Sequence, residues 1–167
     1  MPTLLPELKK ILEDTYGQEF IINEALKELY AFVDKNNLFS LMEKFSTIHF
    51  DFLMDVTAVD YLLQNKKPRF EVVYHLFHTK TYDRIRIKVP VTEEIPEVAS
   101  VYPIWKTAYF LEREVWDLYG IKFTGHPDLR RILLYEEFVG FPLRKDYYIR
   151  DEQPLIGLRE VEANPTV

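Results

Sequence analysis

Three stretches in the middle of this chain alternate apolar and polar residues, and they constrain the fold more than any other feature. The first carries Phe50, Phe52, Met54, Val56 and Ala58 at every second position. The second, from Arg69, carries Phe70, Val72, Tyr74 and Leu76. In the third, Ile85, Ile87, Val89 and Val91 alternate with Arg84, Arg86 and Lys88. Successive side chains of a strand point to opposite faces, so each run reads as a strand with one face on a core and one in water. Turns at Gln64–Pro68 and Thr79–Asp83 join the three into an antiparallel meander.

Leu29–Val33 reads as a further short strand. Asp34 or Asn36 is placed to cap a helix running to about Phe45, with Leu38, Leu41, Met42 and Phe45 on one face. Near the N-terminus, Leu8, Ile11 and Leu12 stand at helical spacing within Pro6–Tyr16, and Gly17 takes the C′ position. Thr92–Val98, with Pro96 and its acids, reads as a loop. A second helix is predicted from about Pro103, a residue suited to a first turn, to Tyr119, with Gly120 ending it. The expected fold class is α+β: an antiparallel or mixed sheet with helices packed on one face, plus an irregular C-terminal extension. Residues 1–149 form the domain and residues 150–167 a polar tail, either frayed or ordered on a partner.

Composition narrows the chemistry. At 167 residues and 47% apolar the chain can bury a core of its own. It has no cysteine, which removes disulfides, thiol nucleophiles, thiolate zinc sites and ordinary iron–sulfur ligation. Lys and Arg number 21 against 27 Asp and Glu, a net charge of −6, which weighs against broad nucleic-acid binding. No stretch free of these four residues exceeds eight residues, Val98–Trp105 being one. A spanning helix needs about 20 apolar residues, so none is expected. The N-terminus shows neither a basic start nor an apolar signal core, so export is not expected.

The predicted second helix breaks its own pattern. At about 100° per residue, Ile104, Ala108, Leu111, Val115 and Leu118 share one face. Tyr119, Trp105, Trp116 and Tyr109 extend the apolar arc, and Glu112 falls inside it. A carboxylate among rings must be paired or protonated. Arg130, Arg131 and Arg144, all downstream, are the candidate donors. Asp117 opposes the helix dipole in the last turn, with Arg113 at i−4 as the compensating charge. These charges either shape the irregular segment, meet charges on another subunit, or form a salt-bridge cluster within the chain. Glu112 and Glu114 are not a catalytic pair, because residues i and i+2 point about 200° apart on a helix.

Other candidates are weaker. His75 and His78 fall on opposite faces of a strand and do not share a metal. His49 is isolated. His126, ahead of Pro127 and Asp128, suits one hydrogen bond in a turn. There is no Gly-rich phosphate loop. Arg130–Arg131 and Arg144–Lys145, with Arg150 beyond, could bind an anion, but Asp128, Glu136, Glu137, Asp146 and Asp151 are interleaved with them. A charge-rich segment containing aromatics fits a subunit interface better.

Two long motifs point further. The run Leu111-Glu-Arg-Glu-Val-Trp-Asp-Leu-Tyr-Gly-Ile-Lys-Phe-Thr-Gly-His-Pro-Asp-Leu-Arg-Arg-Ile-Leu-Leu134 resembles the signature of the thirty-kilodalton subunit family of NADH:quinone oxidoreductase, respiratory complex I. Gly140-Phe-Pro-Leu-Arg-Lys-Asp-Tyr147 resembles that family's second hallmark. Asp55-Val-Thr-Ala-Val-Asp60 and Phe70-Glu-Val-Val-Tyr-His-Leu76 also resemble it, in the right order. Tyr109-Phe110 stands where the family often has Asn-Trp. The chain also reads as a stand-alone domain, not fused to the following subunit as in some relatives.

The resemblance implies a non-catalytic structural subunit of the peripheral arm of a proton-translocating oxidoreductase, with no active site of its own. It implies docking onto the large quinone-site subunit, near the terminal iron–sulfur subunit and other peripheral-arm subunits. No cofactor would sit on this chain; FMN, iron–sulfur clusters and quinone would sit in the partner subunits. The place would be the cytoplasmic face of the inner membrane, reached only through the complex. Glu112, Arg113, Glu114 and Asp117 would anchor the helix end, and His126, Arg130, Arg131, Arg144, Lys145 and Asp146 the irregular segment. Related subunits in membrane-bound nickel–iron hydrogenases and ferredoxin-driven complexes are the alternative. A stand-alone anion- or nucleic-acid-binding module is the alternative of another class.

Overall fold

The computed structural model describes residues 20–23, 28–148 and 150. The predicted helix over 6–16 and the tail from 151 lie outside them. The rest is α+β, as expected. Strands β1 (Phe20–Asn23), β2 (Glu28–Phe32), β3 (Phe52–Asp60), β4 (Phe70–Phe77) and β5 (Arg84–Val91) form a mixed sheet of order β1-β2-β5-β4-β3. β3, β4 and β5 make the antiparallel meander, and β2 joins parallel to β5. Helix α1 (Leu38–Thr47) lies in the β2–β3 connection. After β5 come β6 (Glu97–Ala99), helix α2 (Ala108–Tyr119) and β7 (Lys122–Thr124), with β6 and β7 paired in parallel as a second small sheet.

The core is the set the alternation points to. Val72, Tyr74 and Leu76 of β4 and Ile85, Ile87, Val89 and Val91 of β5 are buried with Leu38, Leu41, Met42 and Phe45 of α1. Ala108 and Val115 of α2 join the same cluster. Packing of apolar helix stripes against one sheet face is what forces this two-layer arrangement.

Four local expectations are corrected. In β3, Phe52 and Met54 are 43% and 41% exposed, while Leu53 is buried. The register shifts between Leu53 and Asp55 against β4, and one extra residue in a strand reverses the faces of everything before it. Neither Asp34 nor Asn36 caps α1: the cap position is Asn37, and Asp34 Oδ1 instead accepts the Asn36 amide at 2.8 Å. The region read as a loop ends in strand β6. Finally, α2 starts at Ala108 and not near Pro103, because residues 101–107 form tight turns in which the Ile104 and Trp105 amides both donate to the Val101 carbonyl. The Trp105 indole is drawn to the Phe50 carbonyl at 3.1 Å. The helix ends as expected, with Gly120 in the left-handed region at φ 72°.

Candidate functional site

Residues 126–146 have almost no regular structure, yet they follow α2 from its first turn to its end. Three side chains spaced four apart on α2 hold them there, since i, i+4 and i+8 lie along one helix face. Tyr109 acts first. Its hydroxyl donates to Asp128 Oδ2 at 2.7 Å, and its carbonyl accepts from His126 Nε2 at 3.0 Å. His126 Nδ1 accepts the Asp128 amide at 3.1 Å, so these partners assign the proton to Nε2. Burial pushes the His126 imidazole below its ordinary value. The Tyr109 hydroxyl, and then Arg130, hold the Asp128 carboxyl low.

One turn on, Arg113 donates to two consecutive carbonyls, Nε to Arg130 at 3.1 Å and Nη2 to Arg131 at 2.8 Å. One turn further, Asp117 does the converse. Its Oδ2 accepts the amides of Ile132, Leu133 and Leu134 at 3.1, 2.8 and 3.0 Å, and its Oδ1 takes Arg131 Nη1 at 2.6 Å. Burial alone would raise this carboxyl, but the Leu134 amide, the Arg131 guanidinium and the other two amides hold it below the usual range. The Arg113–Asp117 pair expected from the sequence is not formed. Both side chains turn to the neighbouring segment, and the donors around Asp117 offset the helix-dipole penalty.

Arg131 also donates to the carbonyls of Phe138 and Gly140 at 2.7 and 3.2 Å. Beyond the helix, the Leu143 amide meets the Leu118 carbonyl and Arg144 Nε meets the Tyr119 carbonyl at 2.6 Å. The Arg144 guanidinium lies over the rings of Phe70 and Phe141. Lys145 and Asp146 are held by a hub that the sequence does not disclose. Arg69, buried at the start of β4, binds Asp60 through two nitrogens at 2.8 and 3.0 Å and also reaches Asp146 and Glu93. Asp60 takes the Lys145 amide as well, at 2.8 Å. Burial works against its charge, but Arg69 and the amides of Lys145 and Leu62 hold its carboxyl at about 2. Parity is the available signal: Val56, Ala58 and Asp60 share the buried face of β3.

The structure thus gathers Arg113, Asp117, His126, Arg130 and Arg131 along one helix face, and Arg144, Lys145 and Asp146 at its end. Glu114 is exposed and apart from them. Glu112 is buried, as expected, but no arginine among the described residues answers it. Its oxygens accept from Ser100 Oγ at 2.6 Å and the Val101 amide at 2.7 Å, and burial pushes its carboxyl up to about 7. Around the strapped helix, Phe110, Leu133, Val139, Leu143 and Tyr148 are large, apolar and exposed. Among the described residues no three His, Asp or Glu side chains gather as a metal site. No described helix is long and apolar enough to cross a membrane.

The architecture is thus an α+β domain whose second helix is strapped by an irregular, aromatic-rich segment. The chain belongs to the family of the respiratory-chain NADH dehydrogenase 30 kDa subunit, whose family model matches residues 31–153. It is 44% identical over 139 residues to the C subunit of the NADH-quinone oxidoreductase of Geotalea uraniireducens, covering 81% of this chain and 84% of that one. A solved trypsin-resistant fragment of Nqo5 superposes with TM-score 0.66 at 37% identity, over 73% of this chain and 98% of the fragment. The fold is shared with a chain of the membrane-bound sulfane sulfur reductase, an archaeal respiratory membrane complex, at TM-score 0.74 and 23% identity over 87% of this chain and 85% of the other.

Proposed function

We propose that this chain is a non-catalytic structural subunit in the peripheral arm of a proton-translocating NADH:quinone oxidoreductase, docked on the large quinone-site subunit by the strapped helix. The observation that supports this reading is the strap itself. Arg113, Asp117 and Arg131 spend their charges on the backbone of residues 130–140. They make a rigid platform from a segment with no ladder of its own, and it presents Phe110, Leu133, Val139 and Leu143 outward. Exposed apolar and aromatic residues on a preorganised surface are the composition of an interface centre. The same spending of guanidinium donors inside the chain argues against an anion- or nucleic-acid-binding module, since Arg131 and Arg144 are engaged.

On this reading the chain carries no cofactor and no active site. FMN, iron–sulfur clusters and quinone belong to the partner subunits, among them the terminal iron–sulfur subunit, and the membrane is met at its cytoplasmic face only through the complex. Glu112 supports the helix from within. The test is mild membrane solubilisation and pull-down on the tagged chain. Flavin and iron–sulfur proteins co-purify with the wild type, and Leu133→Asp with Val139→Asp abolishes their recovery while the chain stays folded. Undiminished recovery overturns the docking surface. The shared fold with the sulfane sulfur reductase chain supports a second reading, the equivalent subunit of a ferredoxin-driven or nickel–iron relative. A nickel site or the lack of flavin in the pull-down selects it.

A further inference from the structure

Three groups tie the strap to the side of α2, and they answer protons differently. A guanidinium such as that of Arg113 stays protonated at any physiological pH. The Asp117 carboxyl is held below the usual range, so it stays ionised. His126 differs from both, because an ordinary imidazole titrates near 6.5. Its ring is half-buried between the first turn of α2 and the turn that opens the strap.

Both nitrogens of that ring are committed. Nε2 meets the Tyr109 carbonyl at 3.0 Å, and Nδ1 accepts the Asp128 amide at 3.1 Å. A neutral ring with its proton on Nε2 satisfies both bonds. A second proton can go only to Nδ1, the atom that faces an N–H. It turns an acceptor into a donor set against a donor, and the Asp128 amide loses its partner.

The groups around the ring come from three elements. On α2, Arg113 repels a charged imidazole, while the Tyr109 carbonyl favours one. On the strap, Asp128 attracts it, although its Oδ2 is engaged by the Tyr109 hydroxyl at 2.7 Å and by Arg130 Nε at 3.0 Å. From the turns ahead of α2, the Tyr102 ring lies 6.1 Å away, with Lys106 Nζ 3.9 Å from the centre of that ring. Burial, joined by Arg113, outweighs the Tyr109 carbonyl and Asp128 and favours the neutral ring.

We propose that His126 is a proton-sensitive latch: its neutral imidazole ties the opening turn of the strap to α2, and one proton taken from solvent onto Nδ1 releases the Asp128 amide and the 126–129 turn with it. The folded chain disfavours the charged ring, so the latch is complete above 6.5 and is lost as pH falls through the lower value of the folded state. The release is local. Residues 130–134 stay on Arg113 and Asp117, whose bonds do not involve the ring. The surface that changes lies beside Phe110, whose ring packs on Tyr109 at 5.0 Å. The latch is a property of the chain itself, whatever that surface docks on.

The experiment is an NMR titration of the full chain between pH 8 and pH 4.5, reading the imidazole nitrogens and the backbone amides together. At pH 8 the His126 proton sits on Nε2 and Nδ1 carries the shift of an acceptor. The ring titrates below the ordinary histidine value. The Asp128 amide shifts with the same midpoint, and its hydrogen exchange, corrected for intrinsic pH dependence, speeds roughly fivefold, the factor set by one hydrogen bond of ordinary worth. The amides of residues 132–134 and of β3–β5 show no step there. His126→Asn places an oxygen where it accepts the amide two residues on and cannot titrate in this range, so its Asp128 amide shows no step. A proton on Nδ1 at pH 8, a ring midpoint at or above 6.5, no step at the Asp128 amide, or the same step in His126→Asn overturns the latch. If His126→Asn fails to fold, coincidence of the ring and amide midpoints in the wild type decides it.

Discussion

Arg69 grips Asp146, 77 residues along the chain, through two parallel hydrogen bonds: Nη2 to Oδ1 at 2.7 Å and Nη1 to Oδ2 at 3.0 Å. The same guanidinium holds Asp60 on the neighbouring strand. One buried cation therefore ties the end of the strap to the root of the meander.

The two acids are not equivalent. Asp60 has no exposed side-chain surface, whereas Asp146 is half exposed. Arg69→Ala strands the Asp60 carboxylate with amide donors alone, and leaving a buried charge unpaired costs about 3–5 kcal/mol. Asp146→Ala removes a pair that solvent partly screens, worth about 0–1 kcal/mol. Urea denaturation ranks the two. The pH profile adds a second check. Asp60 is held at about 2 against an ordinary 3.8, so its stabilisation is present above 3.8 and lost as pH falls toward 2. Arg69→Ala moves the onset of acid unfolding to higher pH.

Asp117 gathers three amides and one guanidinium, so Asp117→Ala frees four donors at once. Arg131, whose side chain is largely buried, loses its counter-charge, and the cost is again about 3–5 kcal/mol. The loss is local in character. Hydrogen exchange at the amides of residues 132–134 speeds up ahead of the sheet amides, and protease cuts concentrate between residues 126 and 146. Uniform loss of protection across β3–β5 would contradict the strap.

These contacts mark where sequence reading succeeds and where it stops. The β5 alternation, the apolar face of α1 and the glycine stop of α2 are local periodicities, and they are legible. The helical projection also places Glu112 inside. It cannot name Ser100 and Val101 as its partners, because one is a hydroxyl and the other a backbone amide, and neither leaves a charge to count. The bulge at Leu53–Asp55 has no compositional mark, so simple alternation puts Phe52 and Met54 on the wrong face. β6 and β7 are three residues each, too short to show a period. Asp117 is recognisable as anomalous on its helix, but its answer lies in the amides of a segment with no pattern at all.

Gly120 and Gly125 separate two effects that are usually mixed. Both lie in the left-handed region, at φ 72° and 86°. A Cβ at Gly125 meets nothing within 4 Å, whereas at Gly120 it falls 2.6 Å from the Phe141 ring and 2.7 Å from Arg144 Nη2. Gly125→Ala carries only the backbone strain, about 1–2 kcal/mol. Gly120→Ala adds displacement of the two side chains that close the strap, so it lowers the denaturation midpoint clearly further. Equal midpoints would mean that the Phe141–Arg144 contact yields freely.

Glu112 gives the fold a pH dependence opposite in sign to that of Asp60. Burial raises its carboxyl from 4.5 to about 7, so the folded chain holds a proton that the unfolded chain releases. The stabilisation is fully present below 4.5 and is lost as pH rises to about 7, with a slope of up to about 1.4 kcal/mol per pH unit between. Thermal unfolding of the wild type therefore shows a midpoint that declines across this window. Glu112→Gln keeps the oxygen that accepts from Val101 or Ser100 and cannot ionise, so its midpoint loses this decline and keeps only the upward trend from His126, whose imidazole burial holds below its ordinary value. At about pH 8, where the wild type must bury a charge, the variant is as stable as the wild type or more so. A wild-type midpoint that climbs across the same window in step with Glu112→Gln would show that this carboxylate is paired by a charge after all.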